Sequence, residues 1–381
     1  MKKMTVAVIC ADLNPDDLGG AEVHIVEVIK GLAERGHTLH VFVGNDLRAA
    51  SLFSEFENVQ LHAVPYKKVR NLNSLFFTLA AVKAIKKSGL KFNLLHAKQT
   101  FPQGIAGALL KKKLRIPLYI TVQNPLAYRQ ELVLTGPLKI LFAPFIEALG
   151  FAVRWALRKS DLAACVSQFS QQHAKRMGAK NTTLIPNGIR LEKFKLHAGE
   201  RKEFEIVSTS TLIPRNGMDT LIESLPEVVK KHQQTHVKIA GEGPMKDELV
   251  NRIKTLNLEK HVTFLGTLKH DKIPEFVKNA HLFVRPSRHE GFGVSFIEAM
   301  ALGTPVITCP VGGIPDFITD GETGFLVPAS DPHALANAIH FVFEHPDAVK
   351  EVTANARQLV ENRYDWQKIV DAVEAAYSRL V

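Results

Sequence analysis

Short runs of apolar residues alternate along this chain with longer segments in which apolar residues recur every three or four positions. In the first half, the apolar runs cover residues 6–9, 39–43, 59–64, 93–96, 118–122 and 162–166. In the second half, they cover residues 204–207, 236–240, 262–265 and 281–284. The run at 6–9 is unbroken, as expected for a parallel strand covered on both faces, and the other runs are strand-like, although most of them include polar residues. The intervening spacing is typical of amphipathic helices. The pattern predicts doubly wound α/β structure.

The length of the chain and one polar segment predict the domain organisation. A chain of 381 residues is too long for one ordinary core, so we expect two domains. Residues 191–202 are polar and separate the two series of apolar runs, as an interdomain linker would. We therefore predict an α/β domain at 1–190 and a second at 203–362.

The composition is that of a globular protein, with 46% hydrophobic residues and a mean hydropathy near zero. The longest apolar region, 137–157, contains Lys139, Glu147 and Arg154, so we do not expect it to span a membrane. The three cysteines lie far apart and lack the spacing of metal ligands, which predicts reduced, buried thiols. Since the N-terminus also lacks the pattern of a signal peptide, we predict a cytoplasmic protein.

Positive charge is concentrated in the first half of the chain. Residues 1–200 contain 28 Lys and Arg against 14 Asp and Glu, a net charge of +14, whereas residues 201–381 have a net charge of −4. Thirteen basic residues and no acidic residue lie between positions 58 and 130. This charge favours an anionic partner such as a membrane surface, although a solvated basic face would have the same composition. We do not predict nucleic-acid binding, because it would explain the charge but none of the motifs.

A segment at the end of this acid-free stretch also mixes basic and aromatic residues. Residues 126–159 read as helical and include Arg154, Trp155 and Arg158. Such a mixture is typical of a helix that lies on a bilayer, and equally of an amphipathic helix that frames an acceptor cleft. Both interpretations remain open at this point.

Two carboxylates, Glu290 and Glu298, lie eight positions apart around a glycine-rich turn. Gly291 and Gly293 allow backbone to approach a ligand closely, and the apolar run after them predicts a buried helix with amide groups at its start. A carboxylate on either side can accept hydrogen bonds from the hydroxyls of a sugar or a ribose. Two solvated glutamates beside an ordinary loop would be the simpler interpretation of this short motif.

The longer string resembles the signature of a known family. Pro286-Ser287, then Glu-Gly-Phe-Gly, Glu-Ala-Met-Ala and Gly-x-Pro-Val-Ile, is similar to the signature of the retaining glycosyltransferase family 4. The resemblance implies the GT-B fold, in which two Rossmann-like domains face each other across a cleft and a C-terminal helix, here residues 363–381, crosses back to the first domain. It also implies transfer of a sugar from a nucleotide diphosphate sugar to an acceptor hydroxyl.

The resemblance assigns roles in the first domain to Gly19, Gly20, His96 and Gln123. Gly19 and Gly20 form a strand-to-helix turn that by itself indicates a tight turn or a phosphate site, and in the family it faces the donor diphosphate. His96 and Gln123 follow strands, where ligands of such sheets bind, and are the catalytic candidates of this domain. A histidine at a strand end can equally be structural, and many relatives have His where this chain has Gln123. An amide hydrogen-bonds a hydroxyl but cannot carry a proton.

In the second domain the resemblance implies a donor-binding set around the two glutamates. Glu298 would hold the ribose hydroxyls, and Glu290, the third catalytic candidate, would hold the transferred sugar. The remaining donor-binding candidates occupy loops that follow strands or open helices. They are Ser210, Thr211, Arg215, Asn216, Gly243, Leu268, Gly291, Phe292, Gly293 and Val294.

One segment departs from the family pattern. Relatives usually have Arg and Lys, which grip the donor diphosphate, where this chain has Thr211 and Asn216. Either Arg215 supplies a replacement charge, or the site has lost transfer activity. The prediction is thus a retaining, hexosyl-type glycosyltransferase of cell-envelope glycan, glycolipid or polysaccharide synthesis, and the alternative is a catalytically impaired GT-B nucleotide-binding protein or partner subunit.

We expect no cofactor apart from the nucleotide-sugar co-substrate, which would be UDP- or GDP-linked. The chain has no Asp-x-Asp motif, so a bound metal is not implied. The acceptor would be a glycan or glycolipid, and the basic first domain favours a location at the inner face of the membrane. The sequence leaves the oligomeric state open.

Overall fold

Two separate parallel sheets organise the chain, each within its own unit. The computed structural model describes residues 2–15, 18–44, 47–67, 72–123, 143–196, 199 and 201–381. One compact unit comprises Met1–Asn187 together with Trp366–Val381, and the other comprises Gly188–Asp365. The parallel α/β architecture that the apolar runs predict is confirmed in both units.

The first unit contains seven parallel strands in the order β3-β2-β1-β4-β5-β6-β7. They are β1 Thr5–Cys10, β2 Thr38–Val43, β3 Val59–Ala63, β4 Leu94–Ala97, β5 Leu118–Val122, β6 Leu162–Cys165 and β7 Thr182–Leu184. The strand order reverses beside β1, which is where sheets of this topology form their ligand crevice.

Helices cover both faces of this sheet. They are α1 Gly20–Glu34, α2 Asn73–Lys87, α3 Ile105–Leu114, α4 Ala143–Lys159, α5 Gln168–Arg176 and, from the end of the chain, α12 Trp366–Ser378. The unbroken apolar run of β1 explains this cover. Val6 and Val8 point into the core beneath α1 and α12, whereas Ala7 and Ile9 point into the core on the opposite face.

The second unit contains six parallel strands in the order β10-β9-β8-β11-β12-β13. They are β8 Lys202–Thr209, β9 His236–Ala240, β10 Val262–Gly266, β11 Ala280–Val284, β12 Val306–Thr308 and β13 Phe325–Leu326. Its helices are α6 Met218–Lys231, α7 Lys246–Thr255, α8 Ile273–Lys278, α9 Val294–Ala301, α10 Pro332–Glu344 and α11 Pro346–Arg363.

The C-terminal helix α12 packs on α1 of the first unit. Gly31 brings the two helices together, because a Cβ at this position would lie 2.6 Å from Cγ2 of Val370. Arg35 pairs with Asp371 at 2.5 Å and with Glu374 at 3.3 Å, and His37 lies 3.0 Å from Glu374. These contacts fix the end of the chain to its beginning.

Some predicted segments differ from the observed ones or lie outside the described residues. The spacing of apolar residues predicts a helix at 103–112, whereas the observed helix begins at Ile105, after an irregular turn at Thr100–Gly104, and ends at Leu114. The strands β7 and β13 are too short to show a sequence period. The helical segment expected at 126–159 is helical over α4, and residues 124–142 lie outside the described part. Within the described ranges, none of the helices could cross a membrane.

Replacing Gly31 with Ala is expected to lower stability, although the same change in an ordinary helix interior raises it by about 0.5–1 kcal/mol. The added methyl would press on Val370, and overpacking of this kind costs roughly 1–3 kcal/mol. Urea unfolding followed by tryptophan fluorescence measures the effect, since Trp366 is buried in α12. The control is Val370→Ala, with and without Gly31→Ala. With the valine shortened, Gly31→Ala should no longer destabilise, and an unchanged penalty would contradict the packing argument.

Candidate active site

The segment with the two glutamates forms the turn from β11 into α9. Gly293 caps α9 in a left-handed conformation with φ of 94°, and a Cβ there would overlap the ring of Phe296. Phe292 is buried against Phe317 and Tyr364, so only its backbone can face a ligand. Among the residues that the structure describes, no side chain caps α9, and its first turn, beginning at Val294, presents backbone amides.

Arg285, at the end of β11, is the nearest partner of Glu290. Its guanidinium donates to the Glu290 carboxylate at 2.6 Å and to the carbonyl oxygen of Thr209 at 3.3 Å. It also lies 4.3 Å above the ring of Phe296. Glu290 in addition accepts a hydrogen bond from the amide of Gly291 at 3.2 Å. Sequence analysis did not single out Arg285, although a basic residue directly after an apolar strand is the signal that could have found it.

The Arg285 guanidinium is buried but retains an unused donor. The residue is 8% exposed, and its Nε has no hydrogen-bond partner within the described ranges. Burial lowers the pKa of Arg285, while the charges of Glu290 and Glu298 raise it and that of Arg215 lowers it. Glu290, Glu298 and Arg215 are thus the charges that act on Arg285.

Glu298 lies on α9 with its side chain almost fully buried. Its carboxylate is 2.8 Å from Nε2 of His270, whose side chain is half exposed. His270 was not among the predicted site residues. It follows Leu268, which is half-buried in the loop after β10.

The loop after β8 packs directly on the loop that precedes Glu290. The carbonyl of Arg215 accepts a hydrogen bond from the amide of Arg288 at 2.7 Å. Gly217 lies so close to Pro286 that a Cβ would overlap the Pro286 carbonyl, and its φ is 71°. The backbone of Arg215 is thereby held beside the Glu290 loop, and its side chain is exposed.

The two positions that depart from the family pattern contribute no charge. Asn216 is buried, and its amide donates to the carbonyl of Thr211 at 2.8 Å. The hydroxyl of Ser210 donates to the same carbonyl at 2.9 Å. Asn216 and Ser210 therefore brace the loop, and Thr211 is left exposed. The turn that contains Gly243 packs against this loop, because the amide of Leu212 donates to Glu242 at 2.9 Å.

Arg288 occupies a supporting position rather than a ligand-facing one. It forms a two-pronged pair with Asp219, both contacts at 2.8 Å, and donates to the carbonyl of Pro214 at 2.7 Å and to Ser330 at 2.7 Å. Burial alone would raise the pKa of Asp219, but the hydrogen bonds and charge of Arg288 hold that pKa below its usual value. This pair fixes the start of α6 to the Glu290 loop.

In the first unit, Gly19 and Gly20 begin α1 as predicted from the sequence, and a buried lysine lies beneath them. Gly19 is the N-cap, and Glu22 in the first turn pairs with Lys98. Lys98 also donates to the carbonyl of Asp12 at 3.2 Å. Its side chain is nearly inaccessible, so the positive charge lies within the turn. Lys98 comes directly after β4, two residues beyond His96, and the sequence analysis did not identify it.

His96 is enclosed in the core of the first unit. It is 1% exposed, and its ring nitrogens lie 2.8 Å from the hydroxyl of Thr121 and 2.6 Å from that of Tyr377. Burial lowers the pKa of His96 to about 3, which keeps the imidazole neutral. In this arrangement, His96 links β4 and β5 to α12. Its catalytic role stays a prediction.

Gln123 directly follows β5 and pairs with Asn187, the last residue of the first unit's N-terminal segment. Its amide donates to Asn187 at 2.9 Å and accepts from Asn187 at 3.2 Å. Both side chains are buried. The reciprocal pair orients the amide that sequence analysis assigned to sugar recognition. Asn124, the next residue, lies outside the described residues.

Two family models match the chain, and together they run from residue 18 to residue 359. The model of "Glycosyltransferase Family 4" matches residues 18–193, and that of "Glycosyl transferases group 1" matches residues 190–359. An uncharacterised glycosyltransferase of Methanocaldococcus jannaschii is 27% identical over 95% of this chain and 95% of its own. A glycogen synthase of Mycobacterium tuberculosis is 25% identical over 98% of this chain and 94% of its own.

Solved structures show the same fold. The crystal structure of Anabaena HepE in complex with UDP has a TM-score of 0.80 and 24% identity, and covers 99% of this chain and 100% of HepE. The two parallel-sheet units and the helical C-terminus are those of a GT-B protein. The chain therefore belongs to glycosyltransferase family 4, the glycosyl transferases of group 1.

Proposed function

We propose that this protein transfers a hexosyl group from a UDP- or GDP-linked sugar to the hydroxyl of a glycan or glycolipid acceptor, with retention of anomeric configuration. The observation that carries the proposal is the cluster in the second unit. There, Glu290 and Glu298 flank the start of α9 within the field of the buried Arg285. The complex of HepE with UDP supports a nucleotide ligand for this fold.

The two carboxylates provide the recognition of hydroxyls. Glu298 projects from α9 and would accept hydrogen bonds from the ribose. One of its carboxylate oxygens also contacts Nε2 of His270, which would orient the carboxylate. Glu290 would accept from hydroxyls of the transferred sugar. Its position is fixed by Arg285 and by the Gly291 amide, which reduces the entropy lost on binding.

Arg285 and Arg215 would supply the positive charge that the diphosphate requires. Each charge-assisted hydrogen bond is worth roughly 1.5–3 kcal/mol, so two cations can replace the Arg and Lys that relatives place at Thr211 and Asn216. Arg285 would act through its charge, and the backbone amides at the start of α9 add a partial positive charge. Negative charge grows on the diphosphate as the glycosidic bond breaks, so these groups act most strongly in the transition state.

Retention follows if the acceptor attacks from the face that the diphosphate leaves. The bond from the anomeric carbon to the phosphate oxygen breaks, and the bond to the acceptor oxygen forms. The departing phosphate oxygen takes the proton of the acceptor hydroxyl. The protein then needs no dedicated base, and the amide of Gln123 suffices to orient a sugar hydroxyl. This scheme assigns no step to a metal ion.

The family resemblance also implies roles for residues of the first unit. The backbone of Gly19 and Gly20 at the start of α1 would approach the diphosphate. Lys98 lies beneath this turn but is neutralised by Glu22, so it would act by shaping the turn. We assign His96 the role of holding Thr121, two residues before Gln123.

A second candidate function is that of a nucleotide-binding protein or partner subunit without transfer activity. The observation that favours it is the loop after β8, where Thr211 is uncharged and the amide of Asn216 is used in a hydrogen bond to the backbone. Binding and turnover, measured separately, distinguish the two candidates.

A thermal-shift screen with UDP, GDP, ADP and their sugars is expected to show stabilisation by one nucleotide family. Glu298→Ala should weaken that binding roughly 10- to 100-fold, because it removes a charged acceptor of hydrogen bonds. The matched control is Glu248→Ala, an exposed glutamate on α7. Binding with turnover of the sugar supports the transferase, and binding without turnover supports the second candidate. A flat screen would contradict both.

Arg285→Met is expected to reduce kcat/KM for the donor roughly 10- to 100-fold, the worth of one charge-assisted hydrogen bond. Arg285→Lys should retain part of this activity because it keeps the charge but loses the fork geometry. Arg252→Met is the control, since Arg252 pairs with Glu223 and Glu248 on the surface. Urea midpoints establish that the variants fold. Full activity in a folded Arg285→Met variant would remove Arg285 from the site.

We also propose that α2 binds an anionic membrane surface and brings the protein to a lipid-linked acceptor. Leu75 and Leu79 are 51% and 56% exposed, and Lys83 and Lys86 continue the same exposed stripe at helical spacing. Exposed leucines beside lysines match the hydrophobic and electrostatic attraction of an interfacial helix. The basic composition of the surrounding sequence adds to this attraction.

The double variant Leu75→Glu/Leu79→Glu is expected to abolish co-sedimentation with phosphatidylglycerol vesicles. Leu265→Glu, an exposed leucine of the second unit, is the control and should bind like the wild type. Binding should also fall with added salt and be weak on phosphatidylcholine. Equal sedimentation of the double variant and the wild type, or none by either, would refute this role of α2.

A further inference from the structure

Three metal-ligating side chains meet where α6 and α10 end. Among the described residues, His232, His340 and Glu344 place their ligand atoms within 4.8 Å of one another. His232 is the C-cap of α6, and His340 and Glu344 lie one turn apart on the same face of α10. Neither the sequence motifs nor the proposed transfer chemistry uses these residues.

The surrounding aromatic residues fix the orientation of the histidine rings. Phe204 stacks on His232 with ring centroids 5.2 Å apart, and Phe343 meets the same ring edge-on at 5.2 Å. The centroid of His340 lies 5.2 Å from that of His232. The two imidazoles are therefore held close together before any ligand binds.

Two nitrogens of this cluster are buried without a hydrogen-bond partner in the described part of the chain, Nε2 of His232 and Nδ1 of His340. Nε2 of His232 lies 3.2 Å from the Glu344 carboxylate but outside hydrogen-bond geometry. Buried polar atoms in native proteins are nearly always satisfied, so two neighbouring unsatisfied nitrogens require an explanation. A metal ion that accepts their lone pairs would provide one.

The dimensions of the cluster suit zinc. Zn²⁺ binds imidazole nitrogen and carboxylate oxygen at about 2.0–2.2 Å in tetrahedral geometry, which puts ligand atoms about 3.3 Å apart. The distance of 3.2 Å between His232 and Glu344 matches this spacing, and the ligand atoms of all three residues lie within 4.8 Å of one another, at most about 1.5 Å beyond it. Lys231 now pairs with Glu344 at 2.5 Å, but this lysine side chain is 56% exposed and can leave for solvent at little cost.

We propose that His232, His340 and Glu344 bind one divalent transition-metal ion, with zinc as the best match, and that the ion joins the ends of α6 and α10. Two imidazoles and one carboxylate leave a fourth position for water. The site is separate from the proposed donor site. The 14 residues of α6 span about 21 Å, with Met218 at the donor-site end and Lys231 beside the metal cluster. The ion therefore serves the stability of the second unit.

Zinc titration of the chelator-treated protein tests the proposal, with bound metal measured per chain and the dissociation constant obtained by competition with a chromophoric chelator. We expect one zinc per chain and a rise in the thermal midpoint. His340→Ala should weaken binding at least about 100-fold, since even losing a partner of a metal ligand costs 10- to 100-fold. Lys231→Ala should tighten binding, because it removes the competing cation from Glu344. Cobalt should give the intense visible absorption of four-coordinate geometry.

The matched control is His333→Ala, on the same helix. His333 also contacts a glutamate, Glu227 at 3.0 Å, but it is not part of the three-ligand cluster. This control should bind zinc like the wild type, and nucleotide binding should be the same in all folded variants. Equal loss in both histidine variants, or no loss in either, would indicate adventitious binding among the chain's 16 histidines and overturn the proposal. Absence of one bound zinc in the folded wild type would overturn it as well.

Discussion

A buried guanidinium, that of Arg285, constrains the arrangement of the loops at the carboxyl edge of the second sheet. A cation removed from water must be surrounded by acceptors, or its desolvation opposes folding. Here the acceptors are the carboxylate of Glu290 and the carbonyl of Thr209, and the ring of Phe296 covers one face. One side chain thus joins the end of β8, the glycine-rich turn and the first turn of α9.

The neighbouring loops add backbone contacts to this arrangement. Gly217 presses against Pro286, and the amide of Gly313 donates to the carbonyl of Glu290 at 3.2 Å. Arg288 then ties the same turn to Asp219 on α6. These backbone contacts and the Arg288–Asp219 side-chain pair set the positions of Glu290 and of the α9 amides before a ligand arrives. Preorganisation of this kind is what electrostatic stabilisation of a leaving diphosphate requires.

The family resemblance implies an Arg and a Lys for the diphosphate in the loop after β8, and this chain carries Thr211 and Asn216 there. In the proposed mechanism, the charge instead comes from Arg215 on the same loop and Arg285 at the end of the adjacent strand β11. A field at a site depends on the distance and burial of the cations and not on which loop provides them. The departure from the family pattern is thereby compatible with a working donor site.

In the first unit, by contrast, a residue that matches the family segment has structural contacts. His96 lies in the segment that resembles the family, yet its ring nitrogens face Thr121 and Tyr377. Tyr377 comes from α12, at the other end of the chain. The sequence around His96 could not predict this partner. Sequence periodicity indicates which face of a helix or strand is buried, but not which distant residue contacts it.

The sequence alone determined the α/β alternation, the family and the glycine-rich turn between Glu290 and Glu298. Apolar runs, turn glycines and a long motif are local signals, and each follows from the chemistry of adjacent residues. Tertiary structure alone decided that Arg285 faces Glu290, that Asn216 braces a loop, and that His232 meets His340 and Glu344. These contacts join residues from different elements, and their distances depend on how strands and helices pack rather than on spacing along the chain.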